Sequence, residues 1–340
     1  SKYKNEIEFV YGDISDYDLI HKSISDCDSV FHLAALIGIP YSYISPKAYI
    51  RTNIEGSYNV LEASKVCDID NVLITSTSET YGSAQYIPID EKHPLVGQSP
   101  YSASKIAADQ LAISYFRSFE TPIKIVRPFN TYGPRQSARA IIPTILTQII
   151  SGAKSIKLGN LDPKRDLTYV KDTVSGFYEI FSSDNLFGEV TNIGSNKTIK
   201  MFDLVNLIIE VTNSDIKIET DYKRVRPSQS EVDVLLCNNQ KILKNTQWKP
   251  KVELKEGLIE TFKFPEVPWS PELSPEASVG LTSPAQSSSM ATRHMVPARR
   301  PCGSQRTWCA GSTPPGPPRS GMPPFYTVGS DVLAFPNHKI

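Results

Sequence analysis

The chain lacks what several broad classes of protein need. Its five cysteines, at 27, 67, 237, 302 and 309, form no CxxC pair, which excludes a disulfide scaffold or a cysteine-spaced zinc site. Lys+Arg and Asp+Glu both total 36, so no net field recruits nucleic acid or anionic lipid. No uninterrupted apolar run approaches the ~20 residues needed to span a bilayer. His21, His32 and His93 have no cysteine or second histidine at ligand spacing, so they read as structural and no metal is expected. What remains is 340 residues, 40% hydrophobic and 21% charged, an ordinary globular composition long enough for two domains.

Composition changes abruptly near Phe264. Up to that residue there are 22 Lys against 8 Arg, and beyond it 1 Lys against 5 Arg, with 14 of the 26 prolines in the last 76 residues. Such a segment buries too little apolar surface to offset its ordering entropy, so residues 265–340 read as a disordered or foreign tail.

Before that break, strands and helices alternate. Residues 6–11, 29–33, 71–76 and 123–127 are short β-branched runs bounded by turn residues, as strands are. Residues 48–67 and 101–119 carry apolar side chains at helical spacing. This order predicts right-handed βαβ units and a parallel sheet. Past Ile141 the elements shorten, with helices over 202–212 and 240–245 among small strands.

Two constellations carry chemistry. Tyr101-Ser102-Ala103-Ser104-Lys105 is a YxxxK at a helix start, and its i, i+4 spacing stacks phenol and ammonium on one face. A cation there stabilises phenolate and lowers the phenol's pKa, giving a base for a sugar hydroxyl. Alone the pair is common on solvated helices. The second constellation is the strand Asn71-Val72-Leu73-Ile74 running into Thr75-Ser76-Thr77-Ser78-Glu79. Hydroxyls and a carboxylate then stand at the carboxyl end of a parallel strand, where open α/β sheets bind ligands.

Together these features resemble the extended short-chain dehydrogenase/reductases, the NAD-dependent nucleotide-sugar epimerase/dehydratase family, along nearly all of residues 6–264. Gly12-Asp13-Ile14 resembles the adenine-contacting segment, His32-Leu33-Ala34-Ala35 the turn under the cofactor, and Thr52-Asn53-Ile54-Glu55-Gly56 the helix whose Asn supports the site. Arg127-Pro128-Phe129-Asn130-Thr131-Tyr132-Gly133-Pro134-Arg135 resembles the turn touching nicotinamide and sugar diphosphate. The segments from Arg165 to Asp172 and from Arg224 to Pro227 resemble those bringing diphosphate-binding arginines. The resemblance implies NAD held by Asp13, Ile14, Leu33, Ala34, Ala35, Asn53, Thr75, Ser76, Tyr101, Lys105 and Pro128. It implies a catalytic set of Thr77, Ser78, Glu79, Tyr101 and Lys105, and substrate contacts from Asn130, Arg165 and Arg226. A UDP-linked sugar, a homodimer in the intact form and a cytoplasmic location are implied with them.

The family's GxxGxxG fingerprint occurs nowhere in the sequence. The expected fold is therefore α/β: a Rossmann-type doubly wound parallel sheet lacking its first βαβ unit over residues 1–140. A smaller α+β substrate lobe over 141–264 is expected to return some segments to that sheet, and the fourth family strand to keep an unpaired edge. Among the family's reactions, Thr77-Ser78-Glu79 keeps the dehydratase's C5 base but replaces its acid with a hydroxyl. The stretches 98–105 and 133–144 resemble the UDP-N-acetylglucosamine 4,6-dehydratases of legionaminic-acid-type pathways. UDP-glucuronate decarboxylases share Thr-Ser-Glu, and the residues are also compatible with a 4-epimerase or an inactive truncated remnant.

Overall fold

The computed structural model describes residues 8–221, 231–264 and the backbone of one late strand. Helix α1 (Tyr17–Ile24) leads into strand β1 (Cys27–His32), followed by the short helices α2 (Ile39–Ile44) and α3 (Pro46–Tyr49). A π-helical turn, Ile50–Glu55, joins α3 to α4 (Gly56–Val66), and β2 (Asn71–Thr75) runs into a 3-10 turn at Ser78–Tyr81. Next come α5 (Pro100–Phe119), β3 (Ile123–Pro128), β4 (Asn130–Tyr132), α6 (Ile141–Ile150), β5 (Ser155–Leu158), β6 (Lys164–Tyr169) and α7 (Val170–Ser182). The remaining elements are β7 (Val190–Ile193), β8 (Thr198–Lys200), α8 (Met201–Thr212), β9 (Lys217–Thr220), β10 (Val234–Leu235), α9 (Gln240–Asn245), α10 (Leu254–Lys263) and β11 (Val332–Pro336).

The main sheet has the order β11-β1-β2-β3-β7. Its β1, β2, β3 and β7 run parallel. The period-2 alternation of these strands divides their side chains between two cores. Val30, Val72, Ile74, Ile123 and Ile125 pack with α1, α4 and α5. The intervening Leu73 and Val126 pack with Ile180 of α7, Ile242 of α9 and Trp248. Both faces are thus covered, as a parallel sheet requires. A third core gathers α6, α8 and α10 around β5 and β6. There β6 pairs with β4, β8 and β10, while β5 pairs with β9. Among the described residues no helix is long and apolar enough to cross a membrane.

The helices expected over 101–119, 202–212 and 240–245 form within a residue of those bounds, as do the strands expected over 71–76 and 123–127, while the one expected over 29–33 begins two residues earlier, at Cys27. The strand expected over 6–11 does not: residues 8–11 have no regular structure, and Phe9, Val10 and Tyr11 are exposed. No strand among the described residues lies beside them, and an unpaired strand leaves its backbone groups to water. Nor is the edge of β1 unpaired. β11 lies antiparallel along it, with Val30 opposite Ala334. Apart from that strand, the expectations for residues 265–340 lie outside the described residues.

Candidate active site

The site is built where β2 ends and α5 begins. Ser99 fixes the start of α5 with a capping box: its hydroxyl accepts from Ser102 N at 3.1 Å, while Ser102 Oγ accepts from Ser99 N at 3.0 Å. Pro100 follows, pre-set for the first helical turn. This start places Tyr101, Lys105 and Asp109 four residues apart on one face. They are 6%, 2% and 0% exposed, so a line of three ionisable groups faces inward. Against them, β2 runs out through Thr75 and Ser76 into the 3-10 turn, where Thr77 Oγ1 accepts from Glu79 N at 3.2 Å.

The expected catalytic residues come together here. Thr77 hydrogen-bonds the Tyr101 phenol, and the Glu79 carboxylate is close enough to act on it electrostatically. Ser78 is buried beside them. Lys105 Nζ donates to the Thr75 carbonyl at 2.6 Å. The Tyr101 phenol is not lowered as the YxxxK spacing suggests. Burial pushes it well above the usual tyrosine range, the Thr77 hydrogen bond pulls it down, and the charge of Glu79 raises it further. Burial lowers Lys105, opposed by the Asp109 carboxylate. At rest the phenol is therefore neutral.

The expected cofactor-side residues divide. Asn53 is fully buried in the π-helical turn, a feature frequent at functional sites. Its Oδ1 accepts from Leu36 N, and its Nδ2 donates to Leu36 O and to Ser104 Oγ. It thereby ties the segment after β1, with Leu33, Ala34 and Ala35, to the catalytic helix. Ile14 is buried beneath Gly56, where a Cβ would collide with Ile14 Cδ1, and Asn59 Nδ2 donates to its carbonyl. Asp13 instead closes a local turn, accepting from Ser15 N at 2.8 Å. Thr75 Oγ1 is buried with no hydrogen-bond partner among the described residues. Pro128 ends β3, and Asn130 in β4 buries an Oδ1 equally without a partner. Arg165 is buried on β6, donating to Glu231 Oε1 at 3.3 Å. Arg226 lies outside the described residues.

Sequence reasoning missed three supports. Asp109 Oδ2 accepts from Ser76 Oγ at 2.7 Å and from Arg127 Nε and Nη2 at 3.1 and 2.8 Å. Arg127 also lies over the Tyr81 ring at 4.9 Å, and Tyr81 donates to Asn192 Oδ1. Tyr49 stands edge-on to Tyr101, with ring centroids 6.2 Å apart. An aspartate at Lys105+4 was the readable signal; the aromatic contact had none.

His32, at the end of β1, donates to or accepts from Ser57 Oγ at 2.9 Å. Burial, aided by the Lys105 cation, lowers it to about 3. Above the unfolded value of about 6.5 both states are neutral. As pH falls below that, the unfolded chain binds a proton the folded chain refuses, so stability declines towards pH 3. The expected loss between pH 7 and 4.5 is about 2–3 kcal/mol at 1.36 kcal/mol per unit. Urea denaturation of His32→Gln should show that much less decline over the same interval.

Residues 1–261 match the model of the GDP-mannose 4,6 dehydratase family. A dTDP-glucose 4,6-dehydratase of Streptomyces antibioticus is 32% identical over 204 residues, covering 60% of this chain and 61% of that enzyme. The chain thus spans less than two thirds of that relative. Among solved structures, the UDP-N-acetylglucosamine 4-epimerase of Methanobrevibacter ruminantium aligns with a TM-score of 0.69 and 30% identity, covering 75% of this chain and 81% of that one. The NAD-bound dTDP-glucose 4,6-dehydratase DesIV of Streptomyces venezuelae, a double mutant, gives 0.71 and 25%, covering 77% and 80%. With the Tyr101/Lys105 pair and the Thr77–Glu79 turn set on a parallel sheet, the matched span places the chain in the GDP-mannose 4,6 dehydratase family of nucleotide-sugar dehydratases and epimerases.

Proposed function

We propose that this chain is an NAD-dependent 4,6-dehydratase acting on UDP-N-acetylglucosamine. The observation that carries the reading is the pairing of two proton acceptors, Tyr101 and Glu79, around one strand end. A 4-epimerase needs only the first, whereas elimination across C5 and C6 needs the second. Bound NAD supplies a hydride acceptor and donor beside the sugar. Tyr101, with Thr77 hydrogen-bonded to its phenol and Lys105 one turn along, must first pass its own proton to solvent, a loss that the Lys105 ammonium and a positive nicotinamide favour. As the phenolate it then takes the C4 hydroxyl proton. The resulting 4-keto group acidifies C5–H, and Glu79 takes that proton as water leaves from C6. The hydroxyl departing from C6 takes up a proton from solvent, which Ser78, itself too weak an acid to supply it, relays. The same reading takes the protein to be a cytoplasmic homodimer.

The residues present fit the nicotinamide side of NAD. Thr75 offers an unpartnered buried hydroxyl beside Lys105, and Asn53 fixes the segment carrying Leu33–Ala35. For the pyrophosphate, residues 1–340 contain no GxxGxxG turn, and so do not themselves supply that backbone N–H cradle at a helix N-terminus. Losing two charge-assisted hydrogen bonds at ~1.5–3 kcal/mol each weakens affinity by about 10²–10⁴-fold. Calorimetry should therefore give weak or undetectable NAD binding; a micromolar dissociation constant would show that Asp13–Ile14 and Leu33–Ala35 suffice.

Mass spectrometry with NAD in large excess tests the function. The expected product of UDP-N-acetylglucosamine is lighter by one water. Loss of carbon dioxide from UDP-glucuronate, with the acetamido sugar untouched, would assign the site to a decarboxylase, which shares the Thr-Ser-Glu triplet.

A further inference from the structure

We propose that Asp109 is a positioning residue of the active site. Its carboxylate fixes the strand end that carries Ser76 and Thr77 against α5, and its charge acts on the Lys105 ammonium one helical turn away. The inference rests on the reading of Tyr101 and Lys105 as the working pair.

One oxygen of Asp109 does the fixing. Oδ2 accepts three hydrogen bonds, one from Ser76 on the outgoing end of β2 and two from Arg127 on β3. Three consecutive parts of the site, β2, α5 and β3, therefore converge on a single atom. Ser76 precedes Thr77, whose hydroxyl meets the Tyr101 phenol, so the contact sets the distance between turn and helix. The other oxygen, Oδ1, is buried with no hydrogen-bond partner among the described residues. A buried carboxylate oxygen without a donor is costly, and a purely structural ion pair has no reason to carry that cost.

Its charge reaches the catalytic pair. Lys105 lies one helical turn before Asp109 and is fully enclosed, with the Thr75 carbonyl as its hydrogen-bond acceptor. The groups facing this ammonium are His32 from β1, which is neutral above acid pH, and Asp109 from its own helix. Tyr101 adds a neutral phenol, and Glu79 acts on that phenol from the 3-10 turn. Asp109 is thus the carboxylate that opposes Lys105's desolvation. Arg127 neutralises the rest of the carboxylate's field from β3.

The test follows the Lys105 ammonium directly by NMR of lysine labelled at Cε, assigned with Lys105→Met and titrated against pH. In Asp109→Asn the Lys105 midpoint should fall by about 1–3 pH units, the shift expected on losing an opposite charge at close range. Where that variant fails to fold, Asp109→Asn with Arg127→Met removes both charges, and the midpoint should fall by about 1 unit. An unmoved midpoint in a folded variant would overturn the proposal and leave Asp109 a structural ion-pair partner. The titration needs no turnover, so it stands apart from the function: a shifted midpoint in a chain that dehydrates no sugar would fault the functional reading alone.

Discussion

Replacing Tyr101 by Phe is expected to lower turnover of UDP-N-acetylglucosamine by about 10²–10⁴-fold, the usual contribution of a positioned acid–base group. The substitution removes only the phenolic oxygen. The ring keeps its edge-on contact with Tyr49, and the helix keeps its Ser99 capping box. Stability should therefore change little, while Thr77 loses its hydrogen-bond partner across the site. Substrate affinity should stay within a few-fold, so the loss should appear in kcat rather than KM. Steady-state kinetics of the two proteins, with NAD in excess, check this. A Tyr101→Phe protein that turns over normally would move the proton transfer to another group, with Glu79 the nearest candidate.

Arg127→Met is expected to destabilise the fold by about 3–5 kcal/mol, because it leaves the Asp109 carboxylate buried without its cation. The side chains of the pair are 2% and 0% exposed, so water cannot replace the lost partner. Burial opposes charge on Arg127, yet Asp109 and Tyr81 more than offset it and hold the guanidinium above its ordinary value. Two hydrogen bonds to Oδ2 vanish with the substitution, as does the cation over the Tyr81 ring. Methionine fills much of the volume, which separates the charge effect from a cavity effect. The urea midpoint of the variant should fall accordingly. Adding Asp109→Asn should recover part of the loss, since the orphaned carboxylate is gone while buried Lys105 keeps the Thr75 carbonyl but loses the opposing charge. A double variant as unstable as the single one would place the damage in packing.

Much of this architecture was legible because its signals are local. The β-branched runs before Thr75 and Pro128 are buried almost throughout, as parallel strands covered on both faces are, and the α5 start is marked by Ser99 and Pro100. The turn proposed to carry the chemistry could be located from hydroxyls following a strand. Other features depend on what lies far away in the chain. Residues 8–11 have a strand's composition but, among the described residues, no neighbour to pair with. β11 is a short apolar run inside a proline-rich segment, and only its alignment along β1 makes it a strand. The π-helical turn around Asn53 gives no separate periodicity, because one residue per turn is too small a departure over Ile50–Glu55. The phenol of Tyr101 shows the same limit chemically: spacing supplied the lysine, while burial decided the direction of the shift.

The most direct test of the 4,6-dehydratase reading is turnover of UDP-N-acetylglucosamine in deuterium oxide with NAD in excess. Removal of the C5 proton by Glu79 and its later replacement from solvent should give a 4-keto-6-deoxy product carrying deuterium at C5. Glu79→Gln should give neither the deuterium nor the water loss, since an amide accepts no proton, while Tyr101 and Lys105 stay in place. A product epimeric at C4, of unchanged mass and free of C5 deuterium, would contradict the account.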